Sequence, residues 1–502
     1  MAKNEVKWGA MLSYALIFIN SVYGLVISPY MLGAIGESEY GVYKTIGALA
    51  ATVSVMELGL GGTVQRFLAQ YRAQKEQKKC FNFSAMSMLQ AGVLSLVMLV
   101  VGAVLYTTIT PVYGQTFTAN ELTRAKQIFC VLIIYVALHI FENVFFGIIA
   151  GYNKFVFSNS LKITSLVIKI VLYLVLLPIF KNALVIVVIS LCLEVVTITI
   201  EFLFIKFKLD HKIKLYYWDG VAFKESFKYT ILLFVQSLII QFNGNIDNMV
   251  IGAVVGTTAV TVYSFAIQIY NMYEQCATSV SSVVLPSVTN MIYNGATSRD
   301  LENVVVKFGR VQWAVLGAAL GGFVVLGKEF FGLWLGEGYS DCYYLALILM
   351  APVTLPLIVN VCLSILKAKN LLTFRTIALA YSVVLNAILT IIGTKIWGYW
   401  AAAVGTAVST IVGSVISLNV YYKVKLNINI IRVYGRILHR ITPCIVVASV
   451  ICWFLNNYIG DSWIMFGVKA CVFVAIYGIS MLVFGLKKEE KAQIPLLKRS
   501  IK

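Results

Sequence analysis

The sequence has 502 residues, of which 60% are hydrophobic and only 12% charged, with a mean hydropathy of +0.86. A soluble fold cannot hide that much apolar surface, so the composition excludes a soluble protein and points to an integral membrane protein. The 40 Lys and Arg outnumber the 22 Asp and Glu to give a net charge of +18, which raises nucleic acid or another anion as a partner.

The chain starts MAKNEVKWGAML and runs on into an apolar stretch. That stretch is too long for a signal-peptide core and shows no small-x-small cleavage site, so the first helix is expected to be retained. Stretches long enough to cross a bilayer lie at roughly 9–32, 42–64, 83–106, 127–150, 163–180, 183–205, 229–255, 258–290, 310–335, 343–366, 376–394, 400–422, 441–459 and 464–486. The fold class is therefore all-α, a polytopic membrane protein of about 14 transmembrane helices. A β-barrel would show short alternating strands, and the sequence has none.

With the N-terminus placed in the cytoplasm, 32 of the 40 cationic residues fall in the segments on the inner side. Only Arg124, Lys126, Lys181 and Lys395 fall in the outer loops; Lys44, Lys169, Lys328 and Lys469 lie within or at the rim of spans. This bias predicts a multi-pass membrane protein with both termini cytoplasmic, and it explains most of the positive charge without nucleic acid. The longest segment between spans, 206–228, mixes basic and aromatic residues. It reads as an amphipathic helix on the inner leaflet or as a linker that sets topology.

Two segments repeat. Leu32–Lys44 reads LGAIGESEYGVYK, and Ile251–Ser264 reads IGAVVGTTAVTVYS. Gly36 aligns with Gly256 and Tyr43 with Tyr263, each pair 220 residues apart. Both copies join the first two helices of a unit with the same orientation, which predicts a parallel repeat. The expected organisation is an N-lobe at 1–210, a C-lobe at 211–422 that opens with the basic linker, and a C-terminal pair of helices with a tail at 423–502. Two like lobes form a transporter plan, with the substrate path between them.

Polar residues inside spans are costly and call for a reason. In the seventh stretch Gln236, Asn243 and Asp247 share one face. In the eighth, Gln268, Asn271, Gln275, Ser279, Ser282 and Pro286 form a stripe with Glu274 beside it. These faces are expected to line a wet cavity, against the alternative of interhelical hydrogen bonding. Further stripes are Tyr135, His139, Glu142 and Asn143; Lys162, Ser165, Lys169 and Tyr173; and Ser190, Glu194, Thr197 and Glu201. Lys169 would attract an anionic head group, or else pair with Glu194 or Glu142. The candidate substrate-binding residues are Lys169, Glu142, Gln236, Asn243, Asp247, Gln268, Asn271, Glu274 and Gln275, with Asp247 and Glu274 as candidates for ion coupling. The run after Glu57, GLGLGG, reads as close helix packing or a local break, and Pro352 with Pro356 predicts a kink in the tenth stretch.

The nine cysteines show no C-x-x-C spacing, and seven of them (Cys130, Cys192, Cys276, Cys362, Cys444, Cys452, Cys471) read as small buried hydrophobes in apolar runs. The three histidines form no H-x-x-x-H pair and no phosphate-binding loop occurs, so no metal, no cofactor and no nucleotide domain is expected. The outer loops are short and show no nucleophile–base set, which argues against an enzyme.

Several of these signatures meet in one family. Pro29-Tyr30-Met31-Leu32-Gly33, Gly36 and Tyr40-Gly41-Val42-Tyr43 resemble the opening of Wzx-type polysaccharide flippases. Glu57-Leu58-Gly59-Leu60-Gly61-Gly62 followed by Arg66-Phe67-Leu68-Ala69 does so too. In the second lobe, Asp247-Asn248-Met249-Val250-Ile251-Gly252, Gly256, Tyr263-Ser264-Phe265-Ala266 and Leu285-Pro286-Ser287-Val288 resemble the same family. It is a branch of the multidrug/oligosaccharidyl-lipid/polysaccharide exporter superfamily. The resemblance implies a flippase that moves polyprenyl-diphosphate-linked oligosaccharide units from the inner to the outer leaflet of a bacterial plasma membrane. The partners it implies are that lipid-linked glycan, membrane lipid, and a polysaccharide polymerase and glycosyltransferases. The alternatives are a cation-coupled multidrug exporter of the same superfamily, a peptidoglycan-precursor flippase, and a non-transporting scaffold for glycan assembly. The first span, about 9–32, has no acidic residue, which departs from the multidrug pattern.

Overall fold

The structure is a computed structural model, and it describes residues 2–54, 59–369, 371–456, 458 and 460–491. Among these residues it is helical, with no strand. The helices are α1 (Ala2–Val53), α2 (Leu60–Ala73), α3 (Gln77–Tyr113), α4 (Ala119–Gly151), α5 (Phe155–Phe180), α6 (Ala183–Phe207), α7 (Gly220–Val254) and α8 (Thr257–Tyr293). They continue as α9 (Ser298–Leu335), α10 (Ser340–Ile358), α11 (Val361–Ala368), α12 (Thr373–Trp397), α13 (Tyr399–Thr410), α14 (Leu418–Leu426), α15 (Ile430–Asn456), α16 (Trp463–Ser480) and α17 (Lys488–Lys491). Wide π-type turns at Ile411–Ser417 and Met481–Gly485 extend α13 and α16.

Each of the fourteen expected stretches is helical over most of its length. Eleven helical segments among the described residues are long and apolar enough to cross a membrane. Two expected spans share the continuous helix α1, which turns at Gly36, and α7 and α8 carry the polar stripes. The lipid-facing character is visible on α3, where Val93, Leu96, Val100 and Val104 are each about 60% exposed along one face. In water such a stripe would be a liability, and in hydrocarbon it is the favourable surface. Among the cysteines, Cys362, Cys444 and Cys452 are buried as expected, whereas Cys130, Cys192, Cys276 and Cys471 lie on the exposed surface of their helices.

Three local expectations resolve. The glycine run is a break, because α1 ends at Val53 and α2 begins after Gly59, while Glu57 lies outside the described residues. Residues 208–219 are not helical, so the amphipathic-helix reading of 206–228 fails there. Asn82 Oδ1 accepts the backbone N–H groups of Tyr216 (2.8 Å) and Tyr217 (3.0 Å), which holds that strip extended along the start of α3. The tenth stretch does break near its prolines: α10 contains both Pro352 and Pro356 and ends at Ile358, and α11 starts at Val361.

The chain divides into two compact units, Met1–Thr261 and Val262–Lys502. In the first, α4 packs against α2, α3 and α6, and α1 packs against α4, α5, α6 and α7. The core of α2, α3 and α4 includes Leu60, Val64, Leu68, Met98, Ile140, Val144 and Ile148. At one end of this unit, Gly36 and Gly256 both adopt positive φ (82° and 117°), a conformation natural to glycine. Around them Ser38 and Thr257 both donate to Glu121 Oε1 (2.5 and 2.8 Å), Thr261 donates to the Glu37 carbonyl (2.8 Å), and Thr116 donates to the Gly252 carbonyl (2.9 Å). A side chain at Gly41 would run into the Thr257 carbonyl. At the other end His211 is buried between Ser84 (2.8 Å) and Tyr152 (3.0 Å), and Arg72 stacks on Tyr152.

In the second unit, α9 is tied by ions at three heights. Glu302 pairs with Arg436 on α15 (3.0 Å), Arg310 forks onto Glu490 of α17 (2.6 and 2.9 Å), and Glu329 pairs with Lys469 on α16 (2.9 Å). Thus α15 and α16 are fastened to α9. The α12–α13 seam is built from small and polar residues, with Asn386 and Thr390 fully buried beside Thr406 and Ser409.

Candidate functional site

The charged residues of the first unit converge where α4, α5 and α6 meet. α4 places His139 and Glu142 about one turn apart, and α6 places Glu194 and Glu201 about two turns apart, so each pair lies on one face. α5 does the same for Lys162 and Lys169. His139 Nδ1 is 2.7 Å from Glu194 Oε1 and 3.7 Å from Glu142 Oε2. Lys162 Nζ is 3.8 Å from Glu142 Oε1 and sits 4.3 Å from the Phe146 ring centroid. His139 and the carboxylates of Glu142 and Glu194 each offer a ligand atom within 4.8 Å of the others.

Burial sets the character of this nest. Glu142, Glu194 and Glu201 are all buried, and among the described residues neither carboxylate oxygen of Glu201 has a hydrogen-bond partner. Bare carboxylates in such surroundings cost several kcal/mol each unless cations or protons offset them, on the order of 2.5–3.5 kcal/mol on the insertion scale. His139 and Lys162 are about a third exposed, so these two side chains form the open side and the acids the floor. Lys169 lies two turns beyond Lys162, with its ammonium 5.7 Å from the Tyr173 ring centroid. No carboxylate oxygen lies within 4.0 Å of it among the described residues, and Glu194 is the acid whose charge acts on it. Tyr173 is fixed by its hydroxyl, which donates to the Ile186 carbonyl at 3.1 Å.

The other candidate residues distribute as follows. Asp247 is buried on α7 and Asn243 half-buried one face-turn before it, both in the first unit. The side chain of Gln236 lies outside the described residues, as do those of Ser279, Ser282 and Pro286. On α8 in the second unit, Gln268 and Glu274 are half-buried, and Asn271 and Gln275 are exposed. The structure brings Glu142 together with His139, Glu194 and Lys162. The stripes of α4, α5 and α6 were each visible as helical faces, but the sequence does not say which faces meet.

A family model described as polysaccharide biosynthesis protein matches residues 7–292. Among solved structures, the fold is similar to the lipid II flippase MurJ in an inward closed conformation, with a TM-score of 0.69 at 15% identity over 94% of this chain and 98% of that one. It is similar to a multidrug resistance transporter of the MATE family and MOP superfamily in an inward-facing conformation (TM-score 0.65, 15% identity, 81% of this chain and 94% of that one). A Vibrio cholerae MATE transporter is similar at a TM-score of 0.57 and 12% identity, over 86% of this chain and 99% of that one. No curated protein is a significant sequence match.

Proposed function

The chain belongs to the polysaccharide biosynthesis protein family, and from that premise we propose that it is a flippase for polyprenyl-diphosphate-linked oligosaccharide units. It carries them from the cytoplasmic to the outer leaflet of the bacterial plasma membrane for export of cell-surface polysaccharide. The mechanism is alternating access between the N-lobe (1–210) and the C-lobe (211–422), with Asn243, Asp247, Gln268, Asn271, Glu274 and Gln275 on the sugar path. In this reading the protein is a transporter and not an enzyme.

One observation supports the proposal: an otherwise apolar helix bundle presents His139 and Lys162 on the open side of a charged nest, with Lys169 two turns further along α5. A lipid-linked diphosphate brings about two negative charges, and outward movement gains about 2.3 kcal/mol per charge per 100 mV. The sugars bring hydroxyls that cost about 2–7 kcal/mol each when buried without a partner, which a hydrated polar face avoids. The cations meet the diphosphate while the polyprenyl tail remains in lipid.

The test is leaflet-resolved transport of a defined polyprenyl-diphosphate glycan by purified protein in proteoliposomes. Wild type is expected to transport it, and Lys169→Glu to slow transport at least about tenfold, a barrier change near 1.4 kcal/mol. Unchanged transport by the variant removes the phosphate role of Lys169. No transport by wild type removes the flippase reading. The likeness to multidrug transporters favours a second reading, cation-coupled drug export. It predicts lost drug resistance on deletion with surface glycan intact.

A further inference from the structure

We propose that residues 206–218 form a binding strip for anionic phospholipid headgroups, lying in the headgroup layer of the leaflet where α6 ends. The strip is a two-faced ribbon. In an extended chain successive side chains point to opposite sides. Leu209, His211 and Ile213 turn inward: His211 is buried, and the other two pack on the core of α2, α3 and α4. Asp210, Lys212 and Lys214 alternate with them and are exposed. The inner row fixes the outer one. His211 is held by Ser84 and Tyr152, and the Asn82 side chain accepts the N–H groups of Tyr216 and Tyr217. The lysines are therefore presented on a fixed backbone.

The position of the ribbon identifies what it meets. Val196, Ile200, Leu203 and Phe207 form one exposed apolar face of α6, the kind of surface that hydrocarbon favours. That face ends at Phe207, which is 70% exposed, with the exposed Lys206 and Lys208 on either side of it. A change from apolar to cationic side chains at the end of a span marks the headgroup level. Asn82 and Ser84, which hold the ribbon, lie near the start of α3, and the exposed apolar row of that helix opens at Leu89, two turns after Asn82. The ribbon thus joins two lipid-facing helices at one rim. Beyond Lys214 come Leu215, Tyr216, Tyr217 and Trp218, large side chains in succession that are 44–58% exposed. In water such a run is a liability, whereas at the headgroup boundary Tyr and Trp are favoured.

Charge selects the lipid. Lys206, Lys208, Lys212 and Lys214 outnumber the two acids of the segment, Asp210 and Asp219. Lys206 stands 5.3 Å from the Phe207 ring centroid and Lys214 5.4 Å from that of Tyr216, so cations and apolar anchors are presented together. Each lysine near an anionic leaflet favours contact about fivefold, an advantage that a zwitterionic leaflet does not offer. Lipid binding by the strip stands whatever the protein carries.

The test uses the full-length protein in lipid nanodiscs, labelled with 5-fluorotryptophan. Trp218→Phe identifies the Trp218 fluorine resonance among those of the eight tryptophans. Two probes report on it: a trace of lipid with a nitroxide on its headgroup, and a water-soluble gadolinium chelate. In phosphatidylcholine discs enriched with phosphatidylglycerol, the nitroxide is expected to broaden Trp218 and the chelate to leave it sharp. In phosphatidylcholine alone the chelate reaches it. Lys206→Gln, Lys208→Gln, Lys212→Gln and Lys214→Gln, added one after another, lower the ratio of bound to free strip by about fivefold each. Raising salt from about 0.1 M to about 1 M shortens the screening length from about 10 Å to about 3 Å and releases the strip. The other tryptophan resonances report whether each variant is folded, and the salt series on wild type decides alone if the variants are not. Trp218 equally open to the chelate in both lipids overturns the proposal. Equal shielding in both lipids, unmoved by salt, overturns it as well. Shielding that persists in detergent without lipid assigns the strip to a protein contact and also overturns it.

Discussion

His211 shows what one side chain can fix. Its ring is buried, hydrogen-bonds Ser84 and Tyr152 through its two nitrogens, and packs edge-on against Phe81 and Tyr152. Burial first, and the nearby Arg72 guanidinium second, push its pKa down from 6.5 to about 4. The folded state therefore binds fewer protons than the unfolded one between those values, so the docking of residues 208–219 is fully stable above pH 6.5 and weakens as pH falls toward 4. The full difference converts to about 3 kcal/mol. Limited proteolysis at Lys212 and Lys214 should accelerate as pH is lowered through that window, and His211→Gln should flatten the dependence. Cleavage rates that do not change with pH, after correction for the protease, would sink the idea. At this scale the sequence was least legible. The strip 206–228 showed its basic and aromatic residues, but what holds it extended is Asn82, more than 130 residues away. Likewise the stripes of α4, α5 and α6 announced their ionisable groups. The pairing of His139 with Glu194, and of Lys162 with Glu142, depends on helix rotation, which periodicity within one helix does not fix.

Elements were more legible, because a bilayer demands about 20 apolar residues per crossing and leaves few ways to satisfy the backbone. The repeat of Gly36 and Gly256 stands in a short motif, and both glycines take positive φ where helices turn. Around that turn α1 closes on α7 and the start of α8 through small side chains: Gly41 against the Thr257 carbonyl, and Thr45 against Gly252. Gly41→Leu should force the seam apart at a cost of about 1–3 kcal/mol or more. A Ser38→Cys, Thr257→Cys pair should cross-link readily in wild-type background and poorly with Gly41→Leu. Equal cross-linking in both would refute tight closure. In the second unit, Lys469 is a cation wholly buried on α16 between Glu329 and the more exposed Asp461. Lys469→Met leaves Glu329 buried without its cation, so thermal unfolding in detergent should show a loss of about 3–5 kcal/mol. Asp461→Asn, altering only the exposed partner, should cost about 1 kcal/mol or less. If the two variants lose the same stability, the buried pair is not what anchors α16.

For the whole molecule, charge placement carries the topology. Of 40 cationic residues, 32 lie in segments assigned to one side. Reporter fusions at both ends should therefore be cytoplasmic, fluorescent with green fluorescent protein and inactive with alkaline phosphatase. An active phosphatase at either end would reverse that reading. The initial excess of positive charge thus divides into a large part in segments that the positive-inside rule assigns to the cytoplasm and a small part within spans, of which Lys469 sits against the buried Glu329. The ties of α9 bear on how such a chain is made. Arg310 finds its partner Glu490 only after 180 more residues have been synthesised, and Glu329 meets Lys469 after 140. During translation α9 therefore enters the membrane with Glu329, a charge that its finished form conceals, opposing insertion by up to roughly 2.5–3.5 kcal/mol. Insertion of α9 should lag until α15 and α16 emerge, which makes the last pair of helices a late-arriving companion for a segment the translocon has to hold.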